Sequence, residues 1–443
     1  MSRNQSQFNR DLCEFLDASP TPFHAVSSMV QRLSGAGFSE LQESQTWSLQ
    51  AGGKYYVVRN GSSIIAFVMG TAPIGDCGLR MTGAHTDSPC LMLKPQPDMA
   101  REGCRQLGVE VYGGALLNPW FDRDLSIAGR LVYRDAKNCL RQTLVDFREP
   151  VAVIPSLAIH LDREANRGRS VNPQTDMPPL IKLLNHGDDR EDFRDILRQR
   201  FLQDSDQVVD FELCLYDAQP AAIIGLDKEF LASGRLDNLL SCYVATRALI
   251  EADGANTCLM VCNDHEEVGS VSAIGADGPF LQSVVERIVE RIVEADSAAG
   301  SSAAALSRSL MISCDNAHAV HPNYRDKHDA EHLPRLNGGP VIKTNVKQRY
   351  ATNSLTASLF KQLCQQADVP VQQFVSRADL ACGSTVGPIV SSRLGVATLD
   401  VGIPQLAMHS CRELAGSTDP MALSQVLTEF YNTPGSLQVA PES

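Results

Sequence analysis

No stretch of this 443-residue chain approaches eighteen uninterrupted apolar residues, which argues against a transmembrane helix. The opening Met1-Ser2-Arg3-Asn4-Gln5-Ser6-Gln7-Phe8 lacks the apolar region that a secretory signal needs. Basic charge is also scarce: 39 Lys and Arg stand against 52 Asp and Glu, leaving a formal net charge of −13. That balance provides no electrostatic footprint for nucleic acid and no polybasic segment for an anionic membrane. The thirteen Cys are scattered and include no CxxC pair, so they read as free buried thiols rather than disulfides or a zinc knuckle. No GxxxxGKS/T occurs and no GxGxxG follows a strand-like run, so the common nucleotide-binding signatures are missing. An HExxH helix starting at His265 would need His at 269, where Gly269 stands. Gly383-Ser384-Thr385-Val386-Gly387 carries its Ser one place early for a nucleophile elbow. These absences point to a cytoplasmic protein that is neither a serine hydrolase nor a nucleotide enzyme.

What is present is ordinary for a globular protein, with 43% hydrophobic and 21% charged residues. The length fits two domains, or three. Residues 8–36 read as two helices split by Ala18-Ser19-Pro20-Thr21-Pro22. Strand patterns follow at 54–59, 63–69 and 79–82. From about residue 96 to 228 the chain turns to short, alternating, turn-separated strands, which reads as a mainly β insertion. Beyond it, helix and strand patterns alternate: helices at 237–252, 280–294, 354–368 and 420–431, and strands at 257–261, 309–313, 371–375 and 395–401. Such alternation argues for an α/β fold, a central mixed or parallel sheet covered by helices. Residues 1–95 and 229–443 would then form one discontinuous domain around the insertion 96–228. The Ser/Ala-rich stretch 298–307 reads as a surface loop.

Several apolar, strand-like runs end in an acid or a His. Residues 79–82 lead to His85 and Asp87, 257–261 to Glu266 and Glu267, 310–314 to Asp315 and His318, and 397–402 to His409. A fifth site, Gly234-Arg235-Leu236-Asp237-Asn238, puts Asp237 at the entrance to a helix. Ligands of open α/β sheets collect outside the carboxyl ends of the strands. A single such end is weak, because Asp also begins turns and caps helices, but four or five with the same ligand types form a pattern. Two His and several carboxylates, without Cys, suit zinc, manganese or cobalt. Side-chain alternation in an extended segment would point Glu266 and Glu267 in different directions, leaving one for metal and one for a proton.

The motifs Gly83-Ala84-His85-Thr86-Asp87-Ser88-Pro89, Ser233-Gly234-Arg235-Leu236-Asp237-Asn238 and Asp264-His265-Glu266-Glu267-Val268-Gly269-Ser270 resemble, in order, signatures of the aspartyl aminopeptidases, the M18 family of dizinc peptidases. Asp315 through Tyr324, Gly339-Pro340-Val341-Ile342-Lys343 and Gln405-Leu406-Ala407-Met408-His409-Ser410 complete the resemblance, which runs along essentially the whole chain. It implies that Asp237 bridges two divalent ions, zinc first, with Mn2+ or Co2+ as alternatives. It further implies His85 and Asp315 on one ion, Glu267 and His409 on the other, Glu266 as general base, and Asp87 orienting His85. The chemistry would be attack of a two-metal-activated hydroxide on the scissile carbonyl. For substrate binding it points to Lys343 and Tyr350, with His318 near the intermediate and His160 reaching a neighbouring subunit's site. The insertion would serve dimerisation, within a homo-dodecamer built from dimers that admits short peptides with acidic N-termini. A dinuclear aminopeptidase of broader specificity, a deacylase, and a metal-binding scaffold without catalysis are the alternatives.

Overall fold

The computed structural model describes residues 3–72, 74–184, 191–295 and 302–437. A nine-stranded mixed sheet dominates it. At its centre four strands run parallel and adjacent: Cys258–Asn263, Arg80–His85, Leu310–Cys314 and Ala397–Gly402. The first three are buried along their whole length, as expected of strands covered on both faces. Ser63–Val68 pairs antiparallel with Cys258–Asn263, and Val341–Thr344 pairs antiparallel with Ala397–Gly402. The four parallel strands therefore end at one edge in close register, with Asn263 opposite His85 and Cys314 opposite Val401.

Helices cover both faces. On one side Arg3–Asp17, Pro22–Gly35, Leu236–Ile250, Ser354–Gln366 and Asp419–Asn432 enclose a core with Phe15, Leu240, Tyr243, Phe360 and Phe430. On the other, Phe280–Ala295 and Val386–Leu394 pack over Phe67, Met81, Leu259 and Met311. Leu236–Ile250 is buried on nearly every side, because its sequence is apolar all round rather than along one stripe. Among the described residues no helix is long and apolar enough to cross a membrane.

A second, six-stranded antiparallel sheet has its own core around Leu107, Trp120, Ile127, Phe193 and Leu213. Its strands lie between Cys90–Arg101 and Gln207–Asp217, so it begins before residue 96. Ala222–Ile224, inside the expected insertion, instead pairs with Phe230–Ser233 in a third sheet. That five-stranded sheet also takes Glu413–Gly416, Pro404–Leu406 and Ala317–His318, elements of two to four residues without a readable period. The Ser/Ala-rich loop is corrected in part: Ser302–Ser307 is a helix with Ala305 packed against the core, as its Ala content favours. Residues 298–301 lie outside the described residues. A further helix, Phe193–Phe201, starts in a capping box formed by Asp192 and Asp195.

Candidate metal centre

Each candidate ligand sits where regular structure stops. His85 is the last residue of its strand, and Asp315 follows Leu310–Cys314 directly. Asp237 lies in the first turn of Leu236–Ile250, but its backbone (φ −82, ψ 104) and that of Asn238 are not helical. Glu266 and Glu267 correct the expectation of an extended segment. After Asn263 the chain turns through His265 (φ +67) into a 3₁₀ turn, Glu266–Val268. The two carboxylates still diverge, but because successive residues of a tight turn project in different directions. His409 also has a left-handed backbone, with φ +68.

The side chains converge on one place. His85 Nε2 lies 3.4 Å from Asp237 Oδ1, 3.6 Å from Asp315 Oδ1 and 3.9 Å from Glu266 Oε2. His409 Nε2 lies 3.6 Å from Asp237 Oδ2 and 3.4 Å from Glu267 Oε1. Asp237 therefore turns one oxygen to each imidazole and stands between two half-sites. Ligand atoms of His85, Asp237 and Glu267 all fall within 4.8 Å of one another.

Supporting bonds fix these rings and carboxylates. Asp87 is fully buried: its main-chain oxygen lies 3.0 Å from His85 Nδ1 and its carboxylate 3.3 Å from the same nitrogen. Its oxygens also accept the backbone amides of Glu266 and Glu267, both at 3.1 Å, and the Tyr112 hydroxyl at 2.7 Å. His409 Nδ1 is 3.1 Å from the carbonyl oxygen of Gly114. Gly113 has a left-handed backbone at φ +69, and a Cβ there would stand 3.1 Å from Glu267 Cβ, so a side chain at this close approach would be strained.

The charge balance fits a bound cation. Burial, reinforced by the charge of Asp237, pushes the Glu267 carboxyl up to about 9, and burial pushes Glu266 up to about 7. Burial opposes a charge on His409, yet Asp237 and Glu267 outweigh it and raise that imidazole to about 9. Burial likewise disfavours ionised Asp237, but both imidazoles hold it well below the usual carboxylate range. Asp237 Oδ1 is buried with no hydrogen-bond partner, an orphan acceptor aimed into the cluster. Two imidazoles and the carboxylates of Asp237, Asp315 and Glu267 form a donor set for zinc-type ions.

Lys343, 2% exposed, gives its ammonium to Asp315 Oδ2 at 3.1 Å and to the Asn316 carbonyl at 3.2 Å. It is therefore not a free cation in a pocket. Its Nζ also lies 5.0 Å from the centroid of the buried Tyr350 ring. Tyr350 and His318 line a cleft of about 310 Å³ with Lys327, His328, Phe374, Arg377 and Met408. His160 is on an exposed turn of the inserted segment, and no contact places it with the ligands of its own chain. Leu157, Ile159 and Leu161 beside it are 53%, 48% and 75% exposed. Asp264 and His265 support the turn, through the Asp264 amide to Ser63 and the His265 ring to Ser272.

Sequence reasoning missed three contributors. Tyr112 and the Gly113-Gly114 backbone come from the end of a strand of the six-stranded sheet, and Glu413 from a four-residue strand. None sits in a motif, and only the paired glycines after an alternating run carried any signal.

The family model described as Aminopeptidase I zinc metalloprotease (M18) matches residues 15–431. Proteins named Probable M18 family aminopeptidase 2 from Ectopseudomonas mendocina (strain ymp) and Pseudomonas entomophila (strain L48) are each 56% identical over 428 and 430 residues. Both alignments cover 96% of this chain, with 97% and 98% of the respective relatives. Among solved structures, Chaetomium thermophilum mApe1 matches with a TM-score of 0.86 at 35% identity, covering 97% of this chain and 98% of that one. The S. cerevesiae mApe1 dodecamer matches with a TM-score of 0.81 at 28% identity, covering 97% of each chain.

Proposed function

Because this chain belongs to the M18 family of zinc metallo-aminopeptidases, we propose that it removes N-terminal Asp or Glu from short peptides at the cluster around Asp237. The observation that carries this reading is the shared carboxylate: Asp237 faces His85 with one oxygen and His409 with the other. His85, Asp315 and Asp237 would hold one divalent ion, and Glu267, His409 and Asp237 a second. Zinc is the first choice, with Mn2+ or Co2+ as alternatives. Such ions supply Lewis acidity toward water and the scissile carbonyl when bound.

The chain's own residues do the rest. Glu266 stands beside a ligand yet is directed to the His85 side, where it takes a proton from the attacking water and delivers it to the leaving amine. A carboxyl raised by burial is suited to both halves of that task. Asp87 orients His85 and holds the turn bearing Glu266 and Glu267. His318 and Tyr350 line the cleft and contact the substrate. Lys327 and Arg377 line this cleft and bring cations to it beside the acids Asp326 and Asp379. That supports an acidic N-terminal side chain over an apolar one.

We assign His160 to a neighbouring subunit's site, because its turn is exposed and flanked by unpartnered Leu157, Ile159 and Leu161. The six-stranded sheet, which carries this turn, would be the dimerisation element of a homo-dodecamer in the cytoplasm. The test is release of Asp, Glu, Leu and Ala from matched substrates, with metal content measured on the same sample. Preference for Leu would replace the acidic reading with a broader aminopeptidase, and activity on acylated amino acids alone would favour a deacylase. Metal binding without any turnover would leave a scaffold.

A further inference from the structure

Glu413 opens the strand Glu413–Gly416, is 2% exposed and belongs to no ligand set. Its two oxygens are taken by the backbones of two different candidate ligands. Oε1 accepts the His409 amide at 2.7 Å, and Oε2 accepts the Asp237 amide at 3.0 Å. Gln405 Nε2 lies 3.3 Å from Oε1.

Both amides need such an acceptor. The Asp237 amide belongs to the first turn of its helix, where amides have no intrahelical partner, and Arg235 at the N-cap provides no side-chain bond. His409 sits in the left-handed region, as does Ala407 at φ +56. Non-glycine residues stay there only when their surroundings over-determine them. A carboxyl oxygen on each amide satisfies a buried donor that would otherwise go unpaired. The other ligands are held differently: Asp87 clamps the amides of Glu266 and Glu267, and Lys343 grips Asp315. Glu413 is thus the group that joins the bridging carboxylate to His409 alone.

We propose that Glu413 is a positioning residue for one half of the centre, setting Asp237 and His409 for the ion shared with Glu267. Its loss weakens that ion more than the ion at His85 and Asp315, because it holds two ligands of the first and one of the second. This rests on the two-ion reading above.

The full-length protein is stripped with chelator and titrated with Zn2+ in metal buffers, with bound metal counted by mass spectrometry and Co2+ spectra recorded in parallel. Glu413→Gln keeps the shape but places an amide N–H against one backbone N–H. The variant is expected to keep the wild-type far-UV circular dichroism and to lose little affinity for one ion. The other ion should bind roughly 10- to 100-fold more weakly, the range for residues that orient ligands, with a changed Co2+ d–d band for that ion only. Glu413→Gln that binds both ions with wild-type affinity, or loses both equally, overturns the proposal. Should Glu413→Gln not fold, Glu413→Asp decides, since its carboxylate remains but reaches less far. Selective weakening of one ion supports the proposal; unchanged binding or equal loss of both overturns it. His409→Ala separates this from failure of the two-ion reading. If that variant keeps the wild-type stoichiometry the reading itself is wrong, whereas loss of one ion there with none in Glu413→Gln sinks only the proposal for Glu413.

Discussion

The ammonium of Lys343 is 3.1 Å from Asp315 Oδ2, while Oδ1 of the same carboxylate is 3.6 Å from His85 Nε2. Lys343 therefore acts on the centre through Asp315. Lys343→Met should lower metal affinity by roughly 10- to 100-fold and reduce turnover of acidic and apolar substrates by similar factors. A loss confined to Asp and Glu substrates, with metal binding unchanged, would instead make it a specificity residue.

Glu266 has a separable task. Glu266→Gln should bind metal as the wild type does and lose about 10²- to 10⁴-fold in kcat, the usual worth of a general base. Near-wild-type turnover with full metal occupancy would remove it from the mechanism.

Metal binding should release protons. Without a cation, burial and the charge of Asp237 push Glu267 up and, against burial, Asp237 with Glu267 push His409 up, so the pair holds bound proton at pH 7 that a metal ligand cannot keep. Adding Zn2+ to chelated protein in weak buffer at pH 7 should acidify an indicator dye by at least about one proton per ion, and less at pH 10. Zinc affinity should rise as pH climbs from 7 to 9. No proton release at pH 7 would contradict this electrostatic account.

His24 makes stability depend on pH independently of the metal. Burial lowers its pKa from 6.5 to about 4, and Thr21 Oγ1 lies 2.8 Å from its Nδ1. The folded state then binds fewer protons than the unfolded chain across that window. Its contribution is complete above pH 6.5 and lost as pH falls through 4. Urea unfolding of chelated His24→Gln should show a shallower loss of stability between those values than the wild type. Parallel curves for the two proteins would refute it.

His160 can be assigned to one subunit or the next by complementation. Assemblies of His160→Ala alone and Glu266→Gln alone should both be weak. Co-assembled, they should regain activity, because some sites would combine an intact Glu266 with a neighbour's intact His160. No recovery in verified mixed assemblies would return His160 to a structural role.

The strands that build the centre were legible because burial on both faces demands near-continuous apolar runs, and an acid or His at the end of such a run stands out. Cys258–Asn263 and Leu310–Cys314 are of this kind. The third sheet was not legible, since strands of two to four residues cannot show a period. Glu413 was hidden with it, because its partners are backbone amides far away in sequence. Lys343 was visible as a residue type but not as a partner of Asp315: pairing across a sheet edge depends on register, which no single motif encodes. The turn at Glu266 and Glu267 escaped because His265 adopts a left-handed backbone without being glycine.

Asp237 stands between His85, from an early strand, and His409, from near the end of the chain. An ion seated there would tie together segments separated by most of the polypeptide, and because it needs them together it binds the folded chain and not the unfolded one. Each tenfold rise of free metal above the dissociation constant then adds about 1.4 kcal/mol to the folded state. A subunit that meets metal late would be more open to proteases than one already loaded, so metal supply would govern how long this protein persists as well as how fast it works.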